Sequence, residues 1–315
     1  MTILCAGNIV HDVLVRPVDA LAFDRTVWVD DIRTSLGGNG ANTSFALARL
    51  GVPVCLASIT GNDEFGEKVI AILREAGVDV SSVVRSDLPT ATTVVLVRSD
   101  GARAFFHRPG CAGADFPIEF PDGFSHFHFG NVFALPLFRS HIGEIMSRAR
   151  LAGLSTSLDA GWDSRGEWAK VVDPALASTD ILFVNRDEAH RLSGEGDVDC
   201  AAKYFLDRGV GLVVAKLGAS GCCAYSAAER VSVPGFAVNV VDTTGAGDCF
   251  AGGFLAARER EMSVPDAARF ANAVGALNVQ QLGSVGGVRS FEETVQWMRT
   301  KVRRRLKPAP PESNQ

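Results

Sequence analysis

Val241-Asp242-Thr243-Thr244-Gly245-Ala246-Gly247-Asp248-Cys249-Phe250, continued by Ala-Gly-Gly-Phe-Leu-Ala-Ala over 251–257, is the stretch on which this chain's reading turns. A β-like run, 236–241, leads into it, and a helical pattern rich in small residues, 246–258, leads out. That order puts the N–H groups of Gly245, Ala246 and Gly247 at a helix N-terminus with little side chain over them. Orphan donors and the helix dipole favour an anion there. Asp248 would repel a phosphate that was merely bound. It makes sense if its carboxylate takes a proton from an attacking hydroxyl while the amides stabilise a phosphoryl group in transfer. The plainer alternative is a carboxylate that only caps its helix.

Outward from this motif, short apolar runs alternate with helical patterns. The runs lie at 3–6, 54–59, 127–129, 154–158, 181–184 and 212–215; the helices between them at 41–50, 64–75, 138–151 and 201–208. This is the rhythm of a layered α/β fold with a largely parallel sheet. Two segments interrupt it. Residues 12–35 alternate through Val13, Val15, Val27, Val29 and Ile32, and 91–108 read as a hairpin turning at Asp100-Gly101. Neither has a crossover helix, so both are expected in a small second sheet; an antiparallel extension of the main sheet is the alternative. The last third is helical at 246–258, 264–281 and 291–306, and the polar, proline-rich 307–315 is expected to be disordered.

Composition sets the limits. Of 315 residues, 47% are hydrophobic and 21% charged, enough for a large core. Glycine, 32 of 315, exceeds the usual share of about 7% and favours backbone-lined sites. A net charge of −5 argues against nucleic acid as a partner. No apolar run reaches the roughly 18 residues of a membrane span. The first residues lack the basic flank and apolar core of a signal peptide, so a cytoplasmic protein is expected. Seven scattered cysteines suggest neither disulfides nor a zinc site. His126 and His128 share one side of a strand but form no metal-ligand spacing.

A second glycine-rich run, Leu36-Gly37-Gly38-Asn39-Gly40-Ala41-Asn42, opens another apolar helix. It is neither a Walker loop nor a dinucleotide fingerprint. Its glycines let a polar ligand approach the backbone, and Asn42 offers a donor and an acceptor to hydroxyls; a plain turn with an asparagine cap is the alternative. With Gly7-Asn8 and Asp12 after the first run, Asn185-Arg186-Asp187-Glu188, and Lys216-Leu217-Gly218-Ala219-Ser220-Gly221, these segments resemble, in order and over nearly the whole chain, the ribokinase-like or PfkB family of carbohydrate kinases.

The resemblance implies one kinase domain over 1–306. It implies a three-layer α/β sandwich with a mostly parallel central sheet, and a β-sheet lid from segments 12–35 and 91–108. It implies an ATP-dependent phosphotransferase acting on a hydroxymethyl group of a sugar or polyol, with Asp248 as base and Gly245, Ala246 and Gly247 as anion hole. Sugar contacts fall on Asp12, Gly38, Asn39, Asn42, Asn131 and Arg108. Nucleotide contacts fall on Asn185, Lys216, Gly218, Ser220, Gly221 and Asn272. Asn185 and Glu188 would place Mg²⁺ through water, although alone they read as a capping box. A K⁺ site would draw on Asp242, Thr244, Asn278, Gln281, Gly283 and Gly287.

The substrate stays open. Arg108 in Phe105-Phe106-His107-Arg108 resembles an arginine that meets a sugar acid in 2-keto-3-deoxygluconate kinases. Against this, Leu158-Asp159-Ala160-Gly161-Trp162-Asp163-Ser164-Arg165 has glycine where fructokinases and ketodeoxygluconate kinases usually have asparagine. A nucleoside kinase shares the scaffold, and a non-catalytic sugar-binding protein is the remote alternative. An oxidoreductase would need a glycine fingerprint after the first strand, which Gly7-Asn8 does not supply. Trp28 is a candidate to stack on a sugar or pack at a lid interface. A small sheet exposes one face, so lids of two subunits are expected to pair in a homodimer, with Val13, Val15, Val27, Val29, Val95 and Val97 on one face and Trp28 and Phe105 on the other.

Overall fold

A computed structural model describes residues 2–100 and 102–305. The first strand, β1 (Thr2–Gly7), is buried over nearly its whole length, as befits a central strand of a sheet covered on both faces. The lid strands β2 (Val10–Arg16) and β3 (Asp31–Gly37) follow, then α1 (Asn39–Arg49), β4 (Val54–Gly61), α2 (Glu64–Ala76) and β5 (Val83–Ser86). The second lid hairpin is β6 (Thr92–Val97) and β7 (Arg103–Arg108). Alternation then resumes with β8 (Phe124–Gly130), α3 (Ile142–Leu151), β9 (Ser155–Asp159), α4 (Ala169–Leu176), β10 (Ile181–Asn185), α5 (Arg186–Ser193), α6 (Val198–Leu206) and β11 (Leu212–Lys216). β12 (Cys222–Tyr225), β13 (Arg230–Val233), α7 (Ala246–Arg258), α8 (Val264–Asn278) and α9 (Phe291–Arg305) complete the chain.

The main sheet has the order β13-β12-β11-β10-β9-β8-β1-β4-β5. It is parallel except at β12 and β13. Phe127, Phe129, Leu182 and Phe205 pack in the core on one face; Phe183, Phe250, Phe254 and Phe270 pack on the other. The three-layer α/β expectation holds, and the 246–258 helix has the expected bounds. Among the described residues no helix is long and apolar enough to cross a membrane.

The second sheet, β3-β2-β6-β7, is separate. Its register corrects the expected faces. Leu14 pairs with Val95, and Val95 with Phe105. Asp12 pairs with Thr93, and Thr93 with His107. Paired residues share a face, so Asp12, Leu14, Thr93, Val95, Phe105 and His107 look one way. Val13, Val15, Val94, Leu96, Ile32 and Phe106 look the other. Val95 and Val97 therefore lie opposite Val13 and Val15, and Phe105 lies with Val95. Val27, Trp28 and Val29 belong to no strand.

The 236–241 run is not a strand either. β13 ends at Val233 before Pro234, which has no N–H for a ladder, and Val240 and Val241 stay exposed. The expected 138–151 helix begins at Ile142 after a 3₁₀ turn, Pro136–Phe138. Short elements at β5, β12, β13 and α4 were not expected, because four to eight residues carry too little periodicity, whereas α5 opens at the capping box read on Asn185 and Glu188. Gly101 and the tail 307–315 lie outside the described residues.

Candidate active site

Along the main sheet the chain runs from β1 outward through β4 in one direction and from β8 outward through β9 in the other. Where a parallel sheet reverses in this way, a crevice opens beyond the carboxyl ends of its strands. Asn8 follows β1 there and Asn131 follows β8. The N-termini of α1 and α7, the start of α5, and the 161–165 segment complete the walls, and the inner lid face forms the roof. The cavity between them is about 670 Å³.

Asp248, in the first turn of α7, is 7% exposed and faces this cavity. Its Oδ1 accepts from Asn39 Nδ2 (2.7 Å) and its Oδ2 from Asn42 Nδ2 (2.8 Å). Neither amide can flip freely. Asn39 Oδ1 accepts from Asn131 Nδ2 (2.9 Å), and Asn42 Oδ1 from the Ser284 hydroxyl (2.9 Å). Burial first, and then the Asp159 charge, push the Asp248 carboxyl up to about 6; the two amides and Lys216 pull the other way.

Gly245 precedes α7 in the left-handed region, at φ 68. A Cβ there would also stand 2.1 Å from the Ser284 carbonyl oxygen, so only glycine fits. The Ala246 N–H makes a long bond to Thr243 O (3.3 Å). Those of Gly245 and Gly247 have no backbone partner among the described residues, so they carry most of the open donor capacity.

Asp12 looks down from the lid, and burial pushes its carboxyl up to about 7, with Thr93 opposing and the charges of Asp242 and Asp248 assisting. His107 lines the same roof and shares a hydrogen bond with Thr93 (3.0 Å). Gly38, Asn39, Asn42 and Asn131 also reach the cavity. Asn131 Oδ1 is buried without a partner among the described residues. Gly161 accommodates it: a Cβ there would fall 2.2 Å from the Asn131 side chain.

Arg108 is not at this cavity. Its parity is opposite to that of His107, and its guanidinium donates to Thr90 O (3.1 Å) and Thr92 Oγ1 (3.2 Å). Arg165 lines the wall instead. Trp28 stands 88% exposed on a loop outside the cavity. His126 and His128 are buried and bonded to Ser155 and Ser157. Among the described residues no cluster of three or more His, Cys, Asp or Glu is placed to hold a metal.

Asn185 and Glu188 do form a capping box. Asn185 Oδ1 accepts from the Glu188 N–H (2.9 Å), and Glu188 Oε2 accepts from the Asn185 N–H (2.7 Å). Glu188 still faces the cavity, and burial pushes its carboxyl up to about 7. Beside it, Lys216 Nζ donates to both Asp159 oxygens (2.8 and 2.6 Å). A Cβ on Gly247 would lie 3.3 Å from that nitrogen, so the ammonium sits at the start of α7.

Lys216, Gly218, Ser220, Gly221 and Asn272 gather around the ends of β11, β12 and β13, beyond the cavity lining. Asn272 donates its side-chain amide to Val233 O (3.2 Å) and Pro234 O (3.4 Å), so it braces the backbone. Around Asp242 every carboxylate oxygen is engaged. Oδ1 accepts from Thr244 N (2.9 Å) and Thr244 Oγ1 (2.7 Å), and Oδ2 from Gly283 N (3.0 Å). Asn278 donates to Thr244 O (3.2 Å) and Ser284 O (2.9 Å) and accepts from Gly287 N (3.2 Å). Gln281 closes the turn after α8, its N–H bonded to Asn278 O (3.0 Å).

Known proteins share this architecture. The model of the pfkB family carbohydrate kinases matches residues 2–289. Fructokinase-1 of Oryza sativa subsp. japonica is 33% identical over 284 residues, 83% of this chain and 88% of that one. The 2-dehydro-3-deoxygluconokinase of Bacillus subtilis (strain 168) is 28% identical over 288 residues, 86% of this chain and 88% of that one. The Arabidopsis thaliana ribokinase complexed with ribose and ATP has a TM-score of 0.82 and 25% identity, covering 93% of this chain and 97% of that one. A match that begins in β1 and runs on past α8, over a sheet with its own lid, leaves one conclusion: the chain belongs to the PfkB family of carbohydrate kinases, phosphotransferases whose acceptor is an alcohol.

Proposed function

We propose that the protein transfers the γ-phosphoryl group of ATP to a hydroxymethyl group of a small carbohydrate held under the lid, with Asp248 as general base. The observation that carries this is the buried Asp248 carboxylate, fixed by two amides, at the cavity face of the helix whose first amides are Gly245, Ala246 and Gly247. Each oxygen keeps lone-pair capacity for a substrate hydroxyl. A carboxylate raised to about 6 is a stronger proton acceptor than an ordinary one, yet still ionised at neutral pH. The Gly245 and Gly247 amides face the charge that develops on the transferred group.

Asp12, His107 and the free Asn131 Oδ1 offer the sugar its polar partners, while Asn39 and Asn42 each give one amide hydrogen to Asp248 and keep the other for a hydroxyl. Lys216, Gly218, Ser220 and Gly221 border the nucleotide, Asn185 stands beside its phosphates, and Asn272 supports that wall. Glu188, and Asn185 through water, fit the oxygen-donor chemistry of a magnesium ion, because one Glu188 oxygen is left over from the capping box. Magnesium bound with the nucleotide neutralises charge on the β- and γ-phosphates. The residues expected around a monovalent cation would offer it mainly backbone carbonyls, since the Asp242 carboxylate already accepts from Thr244 and Gly283.

Arg165 in the cavity wall favours a second reading, a sugar acid held through its carboxylate. ADP release measured across neutral sugars, sugar acids and nucleosides tests both. Stimulation by a neutral sugar supports the first reading, and stimulation by sugar acids alone supports the second. Release no faster than with ATP alone across the whole panel refutes both. With the preferred sugar, Asp12→Ala is expected to raise the sugar KM about 10- to 100-fold, the worth of a hydrogen bond to a charged group, and leave the ATP KM unchanged. An equal rise in both constants would remove Asp12 from the sugar site.

The outer lid face supports the homodimer. Ile32 and Phe106 are 63% and 56% exposed there, next to half-buried Val13, Val15, Val94 and Leu96. A second copy of the face covers them. Sedimentation at micromolar concentration should give a particle near twice 33.4 kDa, and a clean monomer refutes the dimer.

A further inference from the structure

Arg103 is the first residue of β7 and lies on the inner face of the lid, paired with the buried Val97. Its side chain leaves the lid. Nη1 donates to Thr244 Oγ1 (2.6 Å) and Nη2 to Thr243 Oγ1 (2.6 Å). Nη1 also stands 3.4 Å from Asp242 Oδ1. The guanidinium thus grips three consecutive residues, the three that precede Gly245. It also lies 5.6 Å from the centre of the Phe105 ring, which lines the cavity. The Asp242 side chain is only 2% exposed and that of Arg103 26%, so water screens the contact weakly.

We propose that Arg103 is a latch joining lid closure to the setting of the anion-binding loop, and so a positioning residue for phosphoryl transfer. The lid brings Asp12, Phe105 and His107 over the acceptor, and the loop it grips leads directly into Gly245 and Gly247. A rigid guanidinium fork can hold two hydroxyls and a carboxylate together; an ammonium presents one point of charge. When the lid opens, all three contacts break at once and the loop loses its brace. Acceptor bound beneath Phe105 favours the closed state, and through Arg103 the closed state favours the braced loop. Transfer to water under an open lid is thereby disfavoured. The role assigned to the amides rests on the proposed function; the mechanical coupling does not.

Two measurements on Arg103→Ala, Arg103→Lys and the near-isosteric Thr243→Val test this. The first is hydrogen exchange of the free enzyme. Arg103→Ala should speed exchange in both 92–108 and 242–247, and Thr243→Val should speed it in the lid hairpin, which it does not touch in sequence. Exchange changed only in the segment that carries the substitution overturns the coupling. This readout stands even if the chemistry assigned to Asp248 fails. The second is steady-state kinetics with the preferred acceptor. Arg103→Ala should raise the acceptor KM about tenfold with the ATP KM within about twofold, and should raise the ratio of ATP hydrolysed to acceptor phosphorylated. Arg103→Lys should fall between it and the wild type. All constants within about twofold of wild type would overturn the positioning role.

Discussion

Asp248→Asn is expected to lower kcat by about 10²- to 10⁴-fold, the usual worth of a positioned general base. ATP binding, followed by calorimetry, should remain within a few-fold of wild type, because the residues proposed to border the nucleotide sit around β11 to β13. The variant also places an NH₂ group against one of the two amides that now donate to the carboxylate. Asn39 and Asn42 are each held by another partner, so one hydrogen bond is lost and a modest fall in melting temperature accompanies the loss of rate. In the wild-type enzyme the base must be ionised. With its carboxyl raised to about 6, kcat should fall as pH drops below that value, toward a tenfold loss per unit. Near-wild-type turnover in Asp248→Asn would make this residue a cap and nothing more.

Lys216→Met should be the most destabilising change near the site. The Lys216 and Asp159 side chains are 13% and 5% exposed, and the substitution leaves a carboxylate buried without its counter-ion. Such losses cost about 3–5 kcal/mol, which in a domain of this size lowers the melting temperature by roughly 10 °C. Asp159→Asn combined with Lys216→Met should regain most of that, since the cost lies in the stranded charge. Lys216 also holds down the carboxyls of Asp248 and Glu188, so the acid limb of the single variant should move to higher pH. A melting temperature within a degree of wild type would mean the pair is solvated.

Local chemistry explains what could be read directly from the sequence. The 246–258 helix was legible to the residue because glycine, small side chains and an acidic first turn all specify the same start. Asn39, Asn42 and Asp248 were legible because they open helices just after a glycine, whereas Asp12, inside a lid strand, and Asn131 were reached only through the resemblance. The lid was legible as an addition, but not in its phase. Val27 and Val29 continue the alternation of Val13 and Val15 in sequence, yet the chain leaves the sheet at Arg16 and returns at Asp31, so the count restarts. The same parity that turns His107 inward turns Arg108 outward. Arg103 and the Asp159–Lys216 pair carried no local signal at all: their partners lie 139 to 141 and 57 residues away. Contacts between loops of different elements are decided by how the layers stack, which composition and periodicity do not encode.

The amides that hold Asp248 stand 209 and 206 positions earlier in the chain. β1 must likewise wait for β8 before it gains its second neighbour in the sheet. Contacts this remote are closed late in folding, after their loop entropy has been overcome. Until α7 docks beside α1, the Asp248 carboxylate is a solvated acid of ordinary strength with no acceptor pocket in front of it. If Asp248 is the base proposed above, nascent and partly folded chains hold no assembled site for phosphoryl transfer until the whole architecture is in place.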